Sequence, residues 1–295
     1  MPQLALPNKS TTVRSFFSGL QTLSPQLAAQ LAVQTMFRTQ RRRADGREEE
    51  LIARSRPLEI EGPTGRLTAR RWGEVGPLVL LVHGWNGRGS QLGAFVDPLL
   101  AAGYQVVAFD APGHGHSAGS RSSLRLFADA FDAILDQVRP FFQPLHGVVA
   151  HSMGGAAVTF ALHRAEQRGR TDSEQLREPR LVFIAPPTDV RDFVTTVSQE
   201  LGLKPPARAH LQGLVERHVG QPLEELHTVK LAEHMPQPLL VVHDEQDRAV
   251  PFACGQSLAG AWPGAELFAT RGLGHSRILR DPSVVARVAD FLRGR

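Results

Sequence analysis

A single cysteine, Cys254, in a chain of 295 residues excludes any intrachain disulfide, and with it the framework that marks an oxidising compartment. The default expectation is a cytoplasmic protein. No stretch approaches the roughly 18 consecutive apolar residues of a membrane span, and Pro7, Asn8, Lys9 and Ser10 interrupt what would have to be a clean apolar run near the start. Neither a signal peptide nor integral membrane association is expected. A phosphate loop and a dinucleotide fingerprint are also missing, so no cofactor is expected. A continuous basic stripe is absent too. The formal net charge is +4, but the arginines are scattered, and their densest cluster, Arg41, Arg42, Arg43 and Arg47, is followed at once by Glu48, Glu49 and Glu50. Nucleic acid is therefore not an expected partner.

What is present is an ordinary globular composition. Apolar residues make up 42% and charged residues 21%, enough to bury a sizeable core. The length fits one α/β catalytic domain carrying extra pieces. Residues 12–55 read as two helical segments, the first with Val13, Phe16, Phe17 and Leu20 at helical spacing, the second running from Pro25 through Leu27, Leu31 and Met36. Ser24 before Pro25 is a good helix start, since a cap hydroxyl and a proline at the first position both suit amides that lack partners.

From Leu58 onward short apolar runs alternate with helical stretches, the pattern of a mostly parallel sheet flanked by helices. Candidate strands are 67–72, 78–83, 105–110, 147–150, 181–185, 239–243 and 266–269, and helices fit over 90–102, 122–139, 154–168 and 283–292. About fifty residues separate the strand ending near Ala185 from the one starting near Leu239, far more than a simple connection needs. The expected organisation is an N-terminal helical extension over 1–56, an α/β core from 57–185 and 238–295, and a small helical cap inserted over 186–237. The cap helices should break at Lys204-Pro205-Pro206 and near Gly220-Gln221-Pro222.

The sharpest motif is Gly147-Val148-Val149-Ala150-His151-Ser152-Met153-Gly154-Gly155, an apolar strand that runs into a serine and then a helix. A serine on so sharp a turn needs small residues two places to either side, and Ala150 and Gly154 stand there. The plainer alternative is a serine that merely caps an ordinary helix. Later in the chain His275 lies in the glycine-flanked loop Arg271-Gly272-Leu273-Gly274-His275-Ser276. Between them, the strand near His243 ends in a loop with three carboxylates, Asp244, Glu245 and Asp247. A serine hydroxyl is a weak nucleophile unless a base takes its proton and an acid orients that base, so these groups form a set. Two further segments follow strands: His83-Gly84-Trp85-Asn86-Gly87, and Asp110-Ala111-Pro112-Gly113-His114-Gly115-His116-Ser117. His114 and His116 lack carboxylate or cysteine companions at ligand spacing, so no metal is expected there; their expected role is to pin a glycine-rich loop.

These segments, in this order and each at the carboxyl end of an expected strand, resemble the α/β-hydrolases. The resemblance covers about residues 67–292. The usual G-x-S-x-G elbow begins here with Ala150, as in some bacterial lipases. The resemblance implies a catalytic triad of Ser152, Asp247 and His275, with the backbone amides of Trp85 and Met153 forming an oxyanion hole and the Trp85 side chain lining an acyl pocket. Asp247 fits the family pattern because it precedes a proline, Pro251, by four residues. Asp244 stands where the family often has glycine and could serve instead. His83 would be structural.

The implied activity is that of a carboxylesterase acting on a small-molecule ester with a short to medium acyl chain, through an acyl-enzyme. A thioesterase or acyltransferase would use the same triad. A serine at the nucleophile position argues against the dehalogenases and epoxide hydrolases of this fold, which use aspartate there. Two other classes stay open: a hydrolase-like binding protein without catalysis, and a lipase facing a lipid surface through Phe16, Phe17 and Leu20. The sequence does not define an oligomeric state.

Overall fold

The computed structural model describes residues 11–138, 145–168 and 179–294. The described residues form eight strands, seven of them on the expected runs: β1 (Arg56–Gly62), β2 (Gly65–Trp72), β3 (Leu78–Val82), β4 (Gln105–Phe109), β5 (Leu145–His151), β6 (Arg180–Ile184), β7 (Leu239–Asp244) and β8 (Glu266–Thr270). They form one sheet in the order β1-β2-β4-β3-β5-β6-β7-β8. The β1/β2 and β2/β4 pairs are antiparallel and every other pair is parallel. Residues of β3, β4 and β7 are buried at every position, which is why these strands read as unbroken runs rich in valine and leucine.

Strand order reverses around β3. The chain leaves β3 for β4 on one side and later returns as β5 on the other, so the carboxyl ends of β3 and β5 mark the switch point of the sheet, the usual place for a ligand in such a fold. Helices cover the sheet, among them Leu124–Val138, Met153–Gln167, Phe252–Ala261 and Pro282–Leu292. The last begins at a strong start signal: the Asp281 side chain accepts from the amides of Ser283 and Val284 at 2.9 and 3.3 Å, with Pro282 at the first position. Beneath one face Trp72, Phe95, Leu81, Val106, Val149, Val242 and Phe291 pack as one core.

Two features differ from the expectations of the sequence. Strand β1 has no counterpart among the expected strands, because it is an edge strand with only Ile60 buried and so lacks an apolar run. Residues 12–55 carry three helices rather than two: Thr11–Leu23, Pro25–Met36 and Gly46–Ala53. Between the second and third the backbone amides of Thr39 and Gln40 are taken by Ser120 O and Asn86 Oδ1, at 3.2 and 2.8 Å, instead of by a helix, and side chains add further ties. Thr39 Oγ1 donates to the Gly113 carbonyl at 2.7 Å, and the Arg41 guanidinium donates to the carbonyls of Gly115, Ser117 and Gly119 at 2.7, 2.6 and 2.7 Å. The expected helix over 122–139 runs from Leu124 to Val138; Arg139, like the segment Pro7 to Ser10, lies outside the described residues.

The chain forms two compact units: the residues up to Arg38 with Asp189–His227, and Thr39–Thr188 with Thr228 onward. In the first, helix Pro25–Met36 buries Ala28, Ala29, Ala32, Val33 and Met36, and helix Pro205–Val219 buries Ala207, Leu211, Val215 and Val219. Ser24 caps the former by accepting from Leu27 N at 3.2 Å, Pro205 starts the latter, and Gly220 ends it in the left-handed conformation. Gln21 bridges helix ends, donating to Gly202 O at 3.0 Å and accepting from Lys204 N at 2.6 Å. The second unit contains the whole sheet. Among the described residues no helix is long and apolar enough to cross a membrane.

The loop after β4 supplies a test of packing. Asp110 accepts from the amides of Gly89 and His116, each at 2.9 Å, and a methyl group on Gly115 would overlap that carboxylate at a backbone φ of 46°. Gly115→Ala is expected to cost about 2–3 kcal/mol in urea unfolding. Gly260, with open space around its Cα and a helical backbone, serves as the control: Gly260→Ala should stay within about 1 kcal/mol of the native chain, on the stabilising side. Equal stability of the two variants would contradict this packing account.

Candidate active site

Ser152 leaves β5 with φ 53° and ψ −123°, a conformation that residues with a side chain rarely adopt. Its amide donates to Ile184 O at 2.8 Å, which ties the turn to the neighbouring strand. Although it precedes helix Met153–Gln167, its hydroxyl makes no capping hydrogen bond, so the plain cap role does not account for it. Gly154 has to be glycine, since a Cβ there would lie 2.7 Å from the carbonyl oxygens of both Val82 and His83. Ala150, in the place of the usual first glycine, is buried within β5 between β3 and β6 and needs no special backbone.

His275 and Asp247 meet across the loops that follow β8 and β7. His275 Nδ1 donates to Asp247 Oδ2 at 2.7 Å, while Asp247 Oδ1 accepts from the amides of Ala249 and Val250 at 2.7 and 3.0 Å. Burial alone would raise the Asp247 pKa, but the hydrogen bond and attraction from His275, with the two amides, outweigh it and hold the carboxyl below its usual range. Asp244 faces elsewhere. Its Oδ2 accepts from Thr270 Oγ1 and Leu273 N, each at 2.9 Å, and its Oδ1 accepts from Gln246 N at 3.0 Å. Asp244 thus anchors the loop that carries His275, whereas Asp247 holds the imidazole; Glu245 is exposed and pairs loosely with Arg271.

The loop after β3 turns tightly over the serine. Gly87 N donates to Gly84 O at 3.0 Å, Asn86 takes φ 53°, and a Cβ on Gly84 would lie 2.9 Å from Ser152 Cβ. Trp85 stands at the apex of this turn. Met153 opens its helix, so its amide has no partner within that helix. The Trp85 ring packs on Phe127 and His114, at centroid distances of 6.5 and 5.5 Å.

Two buried histidines brace this loop. His83 donates from Nδ1 to Gly84 O at 2.6 Å and accepts at Nε2 from Ala111 N at 2.9 Å; His114 donates from Nδ1 to Pro112 O at 2.9 Å and accepts at Nε2 from Asn86 N at 3.0 Å. Burial pushes the pKa of His83 down and that of His114 to about 3, so both rings are neutral, as this donor and acceptor pattern requires. His116 does not share that role. Its ring is exposed and only its amide engages Asp110.

Two residues that no sequence motif singles out flank the dyad. His151 donates from Nε2 to the His275 carbonyl at 3.0 Å, and fully buried His243 donates from Nε2 to Val250 O at 3.1 Å with Asp247 Oδ2 at 3.6 Å. No spacing signal could have revealed them, because their partners are backbone carbonyls.

A sequence profile described as the alpha/beta hydrolase family matches residues 79–288. A curated 2-hydroxy-6-oxononadienedioate/2-hydroxy-6-oxononatrienedioate hydrolase of Escherichia coli is similar to this chain, 28% identical over 269 residues that cover 76% of this chain and 90% of that protein. Among solved structures, an esterase of Pyrococcus furiosus superposes with a TM-score of 0.65 at 17% identity, covering 88% of this chain and 97% of the other. Est1E from Butyrivibrio proteoclasticus superposes with a TM-score of 0.60 at 18% identity, covering 81% and 98%. At these identities the solved structures establish likeness of fold.

The anchoring role of Asp244 predicts a specific pH dependence. Burial works to raise its pKa, but the amides of Leu273 and Gly274, the Thr270 hydroxyl and the Gln246 amide prevail and lower it. A carboxyl with a lowered folded-state pKa contributes stability that is complete above the unfolded value of about 3.9 and is lost as pH falls through the folded value. Asp244→Asn should therefore be less stable than the native chain by about 1–3 kcal/mol at pH 7, with the gap closing toward pH 3 in parallel thermal melts. A gap that stays constant over that range would contradict the assignment.

Proposed function

Because the chain belongs to the alpha/beta hydrolase family, we propose that it is a serine hydrolase that cleaves a carboxylic ester of short or medium acyl chain through an acyl-enzyme. The observation that carries this reading is a histidine whose Nδ1 is committed to a buried carboxylate at 2.7 Å, in a chain that also holds a serine at φ 53° at a strand end. With Nδ1 donating to Asp247, the His275 Nε2 is the nitrogen with a lone pair. His275 takes the Ser152 hydroxyl proton at Nε2 as the serine oxygen attacks the substrate carbonyl. Asp247 stabilises the resulting imidazolium and fixes its tautomer. The amides of Trp85 and Met153 hold the oxyanion of the tetrahedral intermediate. The intermediate collapses as His275 gives its proton to the leaving alcohol, and water, activated by the same imidazole, releases the acid.

A second reading comes from the curated relatives, which are named for hydrolysis of a hydroxy-oxo-dienedioate and are matched over 90% of their length. In it the same three residues cleave a carbon–carbon bond next to a ketone. Both readings use Ser152 as the essential group, and they separate by substrate.

Hydrolysis of p-nitrophenyl esters of increasing acyl length, and of a 2-hydroxy-6-oxo-dienoate, should be measured for the native chain, Ser152→Ala and His275→Ala. Activity on esters peaking at short or medium chains, with kcat lower by roughly 10³–10⁶ in each variant, is the expected result. Native-like turnover by Ser152→Ala would overturn the mechanism, and preference for the dienoate over every ester would shift the assignment to carbon–carbon hydrolysis.

A further inference from the structure

Beside the proposed triad, His151 is a buried titratable side chain that the mechanism does not use. Its ring lies 4.7 Å from that of His275, centroid to centroid, at an interplanar angle of 46°. Its Nε2 is 3.0 Å from the His275 carbonyl oxygen. A carbonyl can only accept, so this nitrogen carries the proton. Burial, and then the neighbouring His275, pushes the His151 pKa down to about 3, leaving a neutral ring with one N–H and one lone pair. The ring fits there because residue 84 is glycine: a Cβ at that position would lie 3.2 Å from His151 Nδ1.

The base has few other restraints. His275 sits on a single helical turn, Gly274–Arg277, entered through Gly272 and Gly274, both at positive φ. Asp247 holds the ring by a hydrogen bond at one atom, Nδ1. Asp244 holds the loop just before it, at the amides of Leu273 and Gly274. The tie at the His275 backbone itself comes from the residue adjacent to the serine.

We infer that His151 is a positioning residue: its Nε2–H tethers the His275 carbonyl to the elbow that carries Ser152, and so sets the placement of the base relative to the nucleophile. This rests on the serine hydrolase reading and adds to it the element that registers one reacting group against the other. A displacement of about 1 Å between reacting groups costs on the order of 100-fold in rate, so the tether acts on turnover and leaves substrate affinity alone.

The test uses His151→Leu, which fills the space without a donor, and His151→Gln, whose amide can still donate. Steady-state ester hydrolysis and folding by circular dichroism are measured beside Ser152→Ala. Expected are a kcat roughly 10- to 100-fold lower for His151→Leu with KM within about threefold, and recovery by His151→Gln to within about fivefold of native. A folded His151→Leu with native kcat overturns the inference, as does a folded His151→Gln no better than leucine. Nitrogen-15 NMR of the histidines in the native protein decides the matter even if neither variant folds. A resting His151 protonated at Nε2 supports the tether, and protonation at Nδ1 overturns it. Native activity in Ser152→Ala would instead remove the underlying serine mechanism, and with it the role of the tether in catalysis.

Discussion

A serine forced to a positive φ is the constraint on which the rest of the site depends. Holding a residue with a side chain at φ 53° and ψ −123° costs on the order of 1–3 kcal/mol. That cost is offset by the sheet: the Ser152 amide bonds to β6, and the following helix presses Gly154 against the end of β3 so closely that no side chain fits. The turn stands at the carboxyl end of β5, beside the point where strand order reverses, and the serine hydroxyl makes no capping bond to the helix that follows.

The loops after β3, β7 and β8 are held by buried groups whose hydrogen-bond roles are fixed. His83 and His114 brace the loop after β3 with neutral rings that each donate once and accept once. Asp244 and Asp247 divide the work on the opposite side, one gripping the loop backbone and the other the imidazole. Rigid placement by neutral or fully paired groups is what an electrostatically preorganised site requires, because none of these groups has to move when charge develops.

The sequence made the core readable where strands are buried on both faces, since β3, β4 and β7 had no choice but to be apolar throughout. It failed at β1, whose neighbours leave only Ile60 buried, and at residues 37–45, whose conformation comes from bonds to a loop more than seventy positions away. In the site, Ser152 and His275 stood out by their small and glycine neighbours. Asp247 was set ahead of Asp244 only by its spacing to Pro251 in a family resemblance; the residues themselves do not separate two aspartates three positions apart in one loop, which differ in what they touch. His151 and His243 were silent for the same reason: a histidine that serves a distant carbonyl leaves no pattern along the chain.

The central claim, that Ser152 is an activated nucleophile, is tested most directly by treating the native chain with a fluorophosphonate and locating the adduct by peptide mass spectrometry. The account predicts one covalent phosphonyl group per chain, on the peptide that carries Ser152 and absent from the Ser152→Ala chain. A folded native chain that takes up no label, or takes it up at another residue, would contradict it.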